Sequence, residues 1–190
     1  MDVYYMHVES DASDEHIATL VQRGDSDAFG ILIDRYEAKL RRYSRKFIAR
    51  DEDIEDVIQD VFISAYQNIQ GFDASLRFSP WIYRIAHNAC VNALRKGGRD
   101  SYHYDFDALV SHHVYEDPAE SERGIKDMRA LLDTGLGKME PKYREVLILH
   151  YYDNMPYKDI ADVLQLPMGT VSIRMKRAKE ALKEQIKDRV

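Results

Sequence analysis

The sequence predicts an all-α protein of two helical domains joined by a flexible linker, the second a helix-turn-helix domain, and three observations carry that prediction. Apolar residues from Ile17 to Leu94 recur at the helical period, with no strand-like alternation. The stretch from Arg99 to about Ser121 loses that period, is acidic and contains Pro118. Beyond it, two short amphipathic segments between Tyr157 and Leu182 flank a turn of three residues. The expected divisions are an N-terminal extension over 1–14, a first domain over 15–98, a linker over 99–121 and a second domain over 122–190. A chain of 190 residues accommodates two compact modules of roughly 70 to 90 residues each.

In the first domain the clearest helix runs from Asp51 to Ile69. Ile54, Val57, Ile58, Val61, Phe62, Ala65 and Tyr66 repeat at steps of three and one, a stripe for burial against neighbouring helices. Asp51, Glu52 and Asp53 sit at its start, where negative charge suits the helix dipole. On the opposite face Asp56, Gln59, Asp60 and Ile63 form an acidic patch with one apolar residue, a surface suited to a basic partner helix. A loop with Gly71 follows, and Ser79-Pro80 supplies an N-cap and a first-turn proline for the next helix. That helix is expected to bury Trp81, Ile82, Ile85, Ala86, Ala89, Cys90, Ala93 and Leu94 and to stop at Gly97-Gly98. Its outward positions are then Arg84, His87, Asn88, Val91, Asn92 and Arg95, a stripe of amides and positive charge without acid. Amides read base edges and arginines hold phosphates.

In the second domain Pro141 opens a helix through Tyr152, Pro156 opens another to Leu164, Gln165 to Pro167 make the turn, and a last helix starts near Met168. Ile160, Ala161 and Leu164 on one helix of the pair, and Val171, Met175, Ala178 and Leu182 on the other, provide the faces that lock the two at an angle. Thr170, Ser172, Ile173, Arg174, Lys176 and Arg177 are left outward or flanking, at the end that enters a major groove. Their hydroxyl and amino groups reach phosphates and base edges, and arginine grips guanine through two bonds.

Composition narrows the class further. Apolar residues make up 45% and charged residues 32%, with nine Gly and five Pro, a globular and helix-leaning balance. Cys90 is the single cysteine, so no intramolecular disulfide framework exists, and the histidines are not spaced as zinc ligands; His112-His113 is an isolated pair. No Gly-rich phosphate loop, metal cluster or nucleophile motif appears, so neither an enzyme nor a cofactor is expected. The first 14 residues carry acids and no Lys or Arg, unlike a secretory signal, and no apolar run approaches 18 residues, which points to a soluble, cytoplasmic protein without membrane insertion. The net charge of −6 hides a strong asymmetry. Arg35 to Arg50 holds seven basic residues and one acid, Ala74 to Arg99 five and none, and Met168 to Val190 seven and three, whereas Asp100 to Asp127 holds eight acids and two bases. Surfaces for DNA and a separate surface for a basic protein produce such a distribution.

Several runs together resemble the extracytoplasmic-function group of RNA polymerase sigma factors. Met155-Pro156-Tyr157-Lys158-Asp159-Ile160-Ala161, leading to Leu166-Pro167-Met168-Gly169-Thr170-Val171, is similar to the domain that reads the minus-thirty-five element, and Leu136 to Val146 to its lead-in helix. Ser172-Ile173 stands where family members usually carry a Lys-Ser pair. Glu55-Asp56-Val57-Ile58-Gln59-Asp60-Val61-Phe62 resembles the helix that docks on the clamp coiled coil of core polymerase, which assigns Asp56, Gln59, Asp60 and Ile63 to that contact. Asn68 to Asp73 and Phe78 to Asn88 resemble the loop and helix for the minus-ten element, which implies Gln70, Phe72, Asp73, Arg84, His87, Asn88, Asn92 and Arg95 as its readers. The loop would seat a flipped base, with Phe72, Phe78, Trp81 and Tyr83 as stacking candidates and core packing the competing role for Phe78 and Trp81. The resemblance implies core RNA polymerase, promoter DNA and an anti-sigma factor as partners. A conventional helix-turn-helix regulator is the alternative, but it needs a ligand pocket or receiver module and symmetric dimer contacts. A protein that binds regulators without DNA fits poorly with three acid-poor basic segments.

Overall fold

The computed structural model describes residues 12–45, 47–96 and 139–187, with side chains as far as Glu184. Residues 1–11 of the extension over 1–14, the Gly97-Gly98 stop, the linker over 99–121 with His112-His113, and the start of the second domain near Glu122 lie outside the described residues. The chain divides into two compact units, Met1–Gly97 and Gly98–Val190, and every regular element among the described residues is helical.

The first unit holds α1 (Asp14–Gln22), α2 (Ala28–Ser44), α3 (Asp51–Asn68), a short 3-10 turn (Ile69–Gly71) and α4 (Phe78–Lys96). The Ser13 side chain caps α1 by accepting from the His16 amide, and Asp14 and Glu15 place acid in the first turn, where the helix dipole favours it. The α1 helix stops before Gly24, whose φ of 103° is a conformation that suits glycine. Asp14 ties α1 to α2: Arg35 Nη1 lies 2.6 Å from Asp14 Oδ1, and the Tyr36 hydroxyl donates to Asp14 Oδ2 at 2.5 Å. Burial, and then Asp14 beside it, pushes the Tyr36 hydroxyl well above the usual tyrosine range, so it remains a donor.

The α3 stripe is buried as its spacing dictates, from Ile54 through Ala65, with one correction: Tyr66 is 46% exposed. It sits on the stripe's edge, its ring edge-on to Phe29 at 5.1 Å while its remaining surface faces solvent. Two corrections concern α4. It starts at Phe78, so Ser79 is inside the helix rather than its cap, and the Phe78 amide donates instead to Glu15 Oε1 of α1 at 2.9 Å. Its buried face runs through Phe78, Ile82, Tyr83, Ala86, His87, Cys90 and Val91, whereas Trp81, Ile85, Ala89, Ala93 and Leu94 are half-buried. The stripe is thus rotated from the expected one, because α4 packs against α1, α2 and α3 at once and takes its large residues inward.

In the second unit α5 (Pro141–Tyr151) is the central helix: Glu145, Val146, Leu147, Ile148, Leu149 and Tyr151 are all buried. Across it lie α6 (Tyr157–Leu164) and α7 (Met168–Lys187). Gln165 closes α6 with a left-handed φ of 54°, and the Leu166 amide returns to the Ala161 carbonyl at 3.0 Å. The Thr170 amide bonds the Pro167 carbonyl at 2.9 Å and starts α7, so the turn occupies the three expected residues. Ile160, Leu164, Val171, Met175, Ala178 and Leu182 are buried and hold the pair together, with Ala161 half-buried beside them.

Candidate nucleic-acid and partner interfaces

The outer face of α3 is built by a simple division of the helix. With Ile54, Val57, Ile58, Val61 and Phe62 turned inward, Asp56, Gln59, Asp60 and Ile63 are all exposed, Ile63 at 48%. Tyr66 continues that face one turn beyond, an aromatic addition that its membership of the apolar stripe concealed. The acids nearer the start of α3 are engaged at home: Glu55 meets Arg41 at 3.2 Å, Asp51 meets Arg45 at 3.4 Å, and Glu52 and Asp53 lie 2.9 and 3.7 Å from Arg50. No ion pair among the described residues joins Asp56 or Asp60 to a base.

The same pairs change the meaning of the first basic segment. Of its seven bases, Arg35, Arg41, Arg45 and Arg50 face carboxylates of α1, α2 and α3, which lowers the potential they offer to phosphates. Exposed pairs of this kind add little stability; their effect is on the field.

On α4 the expected reading stripe is divided. Asn88, Asn92 and Arg95 are exposed and Arg84 is half-buried, but His87 keeps only 3% of its surface and Val91 is also buried. His87 Nδ1 lies 3.2 Å from the Tyr43 hydroxyl, and Cys90 Sγ lies 3.4 Å from Ser44 Oγ, so a small polar cluster joins α4 to α2 inside the unit. His87 follows Tyr83 by four residues and precedes Val91 by four, which places it at the centre of the buried stripe.

The loop ahead of α4 keeps Gln70 and Asp73 exposed but not Phe72. The Phe72 ring packs against Phe78 at 5.4 Å and Trp81 at 5.2 Å, so it and Phe78 belong to an internal aromatic cluster; Tyr83 is buried against Tyr43. In the free chain these rings are engaged in packing rather than open for base stacking. Asp73 Oδ1 accepts the Ser75 amide at 2.9 Å, and the Asp73 carbonyl accepts the Leu76 amide at 2.9 Å, a tight turn that leaves Leu76 63% exposed at its tip. The Ser75 amide, and then its hydroxyl, hold the Asp73 carboxyl below the usual range.

On α7, Lys176 and Arg177 are exposed and Thr170 and Ile173 half-buried, whereas Ser172 and Arg174 are buried. Arg174 follows Val171 by three residues and precedes Ala178 by four, and Ser172 precedes Met175 by three, so both lie on the flanks of the packed stripe. Met168, 41% exposed, stands at the first position of the helix, an apolar contribution not foreseen among the polar candidates.

A two-unit helical chain with an acidic outer face on α3, an amide-bearing helix and a helix-turn-helix fits the class of sigma-type initiation factors, and comparison with known proteins shows that class. The family model for Sigma-70 region 2 matches residues 32–100, and that for Sigma-70, region 4 matches residues 129–182. The chain is 33% identical over 178 residues to the ECF RNA polymerase sigma factor SigW of Bacillus subtilis, covering 88% of this chain and 94% of that one. Its fold is similar to that of CnrH, solved in complex with the cytosolic domain of CnrY (TM-score 0.67, 24% identity, 93% of this chain and 99% of that one). It is also similar to the sigma factor RpoE of Bartonella quintana, solved with the anti-sigma factor NepR (TM-score 0.59, 23% identity, 84% and 96%). The chain belongs to the ECF RNA polymerase sigma factors, and it is a transcription initiation factor rather than a free-standing helix-turn-helix regulator. Among the described residues no helix is long and apolar enough to cross a membrane.

Proposed function

We propose that the chain acts in the cell interior by docking on core RNA polymerase through the outer face of α3 and reading promoter DNA with α4 and α7. The observation that carries this reading is the α3 face itself: two exposed acids that join no ion pair among the described residues, an amide and an exposed isoleucine on a helix whose other acids are engaged by Arg41, Arg45 and Arg50. An apolar contact inside a ring of charge gives affinity, while the charges set register and exclude wrong partners. Asn88, Asn92 and Arg95 would read the minus-ten element, with Gln70 and Asp73 on the adjoining loop and Arg84 on a phosphate. Thr170, Ile173, Lys176 and Arg177 would meet the minus-thirty-five element, with Met168 placed for a thymine methyl. His87, Phe72, Ser172 and Arg174 then support these surfaces from within.

The reaction belongs to the polymerase; this chain supplies position and sequence preference, without a catalytic group or cofactor of its own. Control by an anti-sigma factor follows the pattern of RpoE and NepR, and the α3 face is the surface such a protein would have to cover to block docking. Run-off transcription tests the reading: core polymerase with the full chain should initiate at discrete genomic promoters, and core polymerase alone should not. Initiation that ignores the chain would refute it.

A further inference from the structure

The α1 helix precedes the residues matched by the region 2 family model, which begin at residue 32, yet its side chains reach both ends of the 69–78 loop. At one end the Gln22 amide donates to the Ile69 carbonyl and to the Phe72 carbonyl, each at 2.7 Å, and the Gln70 amide returns a bond to the Gln22 carbonyl at 3.1 Å. At the other end Glu15 accepts the Phe78 amide at 2.9 Å and fixes where α4 begins. Glu15 and Gln22 are seven residues apart, two helical turns, so they share one face and stand about 10 Å apart along the axis. The Asp14 contacts with Arg35 and Tyr36 hold that helix in register against α2. Between the two fixed points lie the aromatic packing of Phe72 and the Asp73 turn, with Gln70, Asp73, Ser75, Leu76 and Arg77 facing outward.

We infer that α1 is a strut that presets the minus-ten loop, with Gln22 and Glu15 as positioning residues for promoter discrimination. The inference rests on the proposed minus-ten reading and adds a physical cause for it. A loop that must seat an unstacked base gains selectivity when its backbone is ordered before DNA arrives, because ordering then costs nothing at the moment of binding. Gln22 is suited to the task because one amide nitrogen donates to two carbonyls across the 3-10 turn, a geometry that apolar or acidic side chains lack.

The test uses the full chain bound to core polymerase, on a promoter found by run-off transcription and on variants substituted at each base of both elements. Gln22→Met keeps the volume and removes both donors; Gln22→Lys restores donors to the same place. The expected result is about a tenfold loss of discrimination at the minus-ten bases for Gln22→Met, as befits the loss of two half-buried hydrogen bonds. Responses at the minus-thirty-five bases and affinity for core polymerase should stay unchanged, Gln22→Lys should recover most of the loss, and Glu15→Gln, still an acceptor, should lie near the parent. Gln22→Met with parental discrimination, while Asn88→Ala loses it, would overturn the strut and leave the minus-ten reading standing. No loss in either would overturn both. A uniform fall on every template together with a lowered melting temperature would show a role in folding alone and also sink the inference.

Discussion

The α3 and α4 helices pack against each other in one unit, are nearly equal in length, and differ in how much of their surface the fold claims. In α3, burial takes one stripe and leaves Asp56, Gln59, Asp60, Ile63 and Tyr66 to solvent. In α4, contacts with α1, α2 and α3 enclose a wider arc, and that arc includes His87 and Tyr83. The difference teaches that a helix whose neighbours, here α2 and α4, cover a single stripe declares its open face through its apolar period. A helix enclosed over a wider arc does not, because polar residues join the interior once partners such as Tyr43 are available. The same contrast separates the proposed functional residues from their support: side chains on the open face of α3 are exposed, while α4 divides between the proposed readers and buried braces.

The sharpest way to break this comparison is to reverse charge on the open face. Asp56→Arg with Asp60→Arg should lower affinity for core polymerase on the order of a hundredfold or more, since repulsion replaces complementarity at a docking surface. Helical circular dichroism should be unchanged, both side chains being exposed. Retained binding in a pull-down would remove α3 as the docking helix.

Neighbouring residues on α4 should separate next. Asn88→Ala and Asn92→Ala should each cost about 1 to 3 kcal/mol of discrimination among minus-ten variants while leaving thermal stability near the parent. His87→Ala should do the reverse. It removes a buried partner of the Tyr43 hydroxyl and opens space between α2 and α4, for about 1 to 3 kcal/mol of stability in thermal melts, with promoter preference intact. If His87→Ala altered base preference without destabilising the unit, the interior assignment would be wrong.

These contrasts also mark what was legible beforehand. The helices of both units, the turn at Gln165 to Pro167 and the outer face of α3 follow from spacing, because each rests on a regular period or a local backbone signal. The start of α4 was not legible, since its first amide is satisfied by Glu15, sixty-three residues earlier in the chain. Nor was the inward turn of His87, because Ala89 and Ala93 fit either side of a helix equally well and blur the stripe's direction. The role of Gln22 left no trace either: a lone glutamine at a helix end carries no signal until the carbonyls of Ile69 and Phe72 come within its reach.

The smallest expected effect lies in the second unit, where α7 repeats the α4 problem in milder form. Ser172 occupies a position adjacent to the proposed reading residues, yet its side chain is buried and its Oγ has no hydrogen-bond partner. A buried hydroxyl left without a partner costs roughly 1 to 3 kcal/mol relative to one that is satisfied, whereas a methyl group in its place loses nothing. Ser172→Ala also raises helix propensity by a few tenths of a kcal/mol, roughly. The melting temperature should therefore stay level or rise by a few degrees, and affinity for a minus-thirty-five duplex should stay within about twofold of the parent. Arg177→Ala, on the exposed side five residues later, should weaken the same complex and flatten its salt dependence if the guanidinium meets a phosphate. A Ser172→Ala variant that bound the duplex as poorly as Arg177→Ala would show that α7 turns its Ser172 flank to DNA, and the division between reading and bracing residues would then hold for α4 but not for α7.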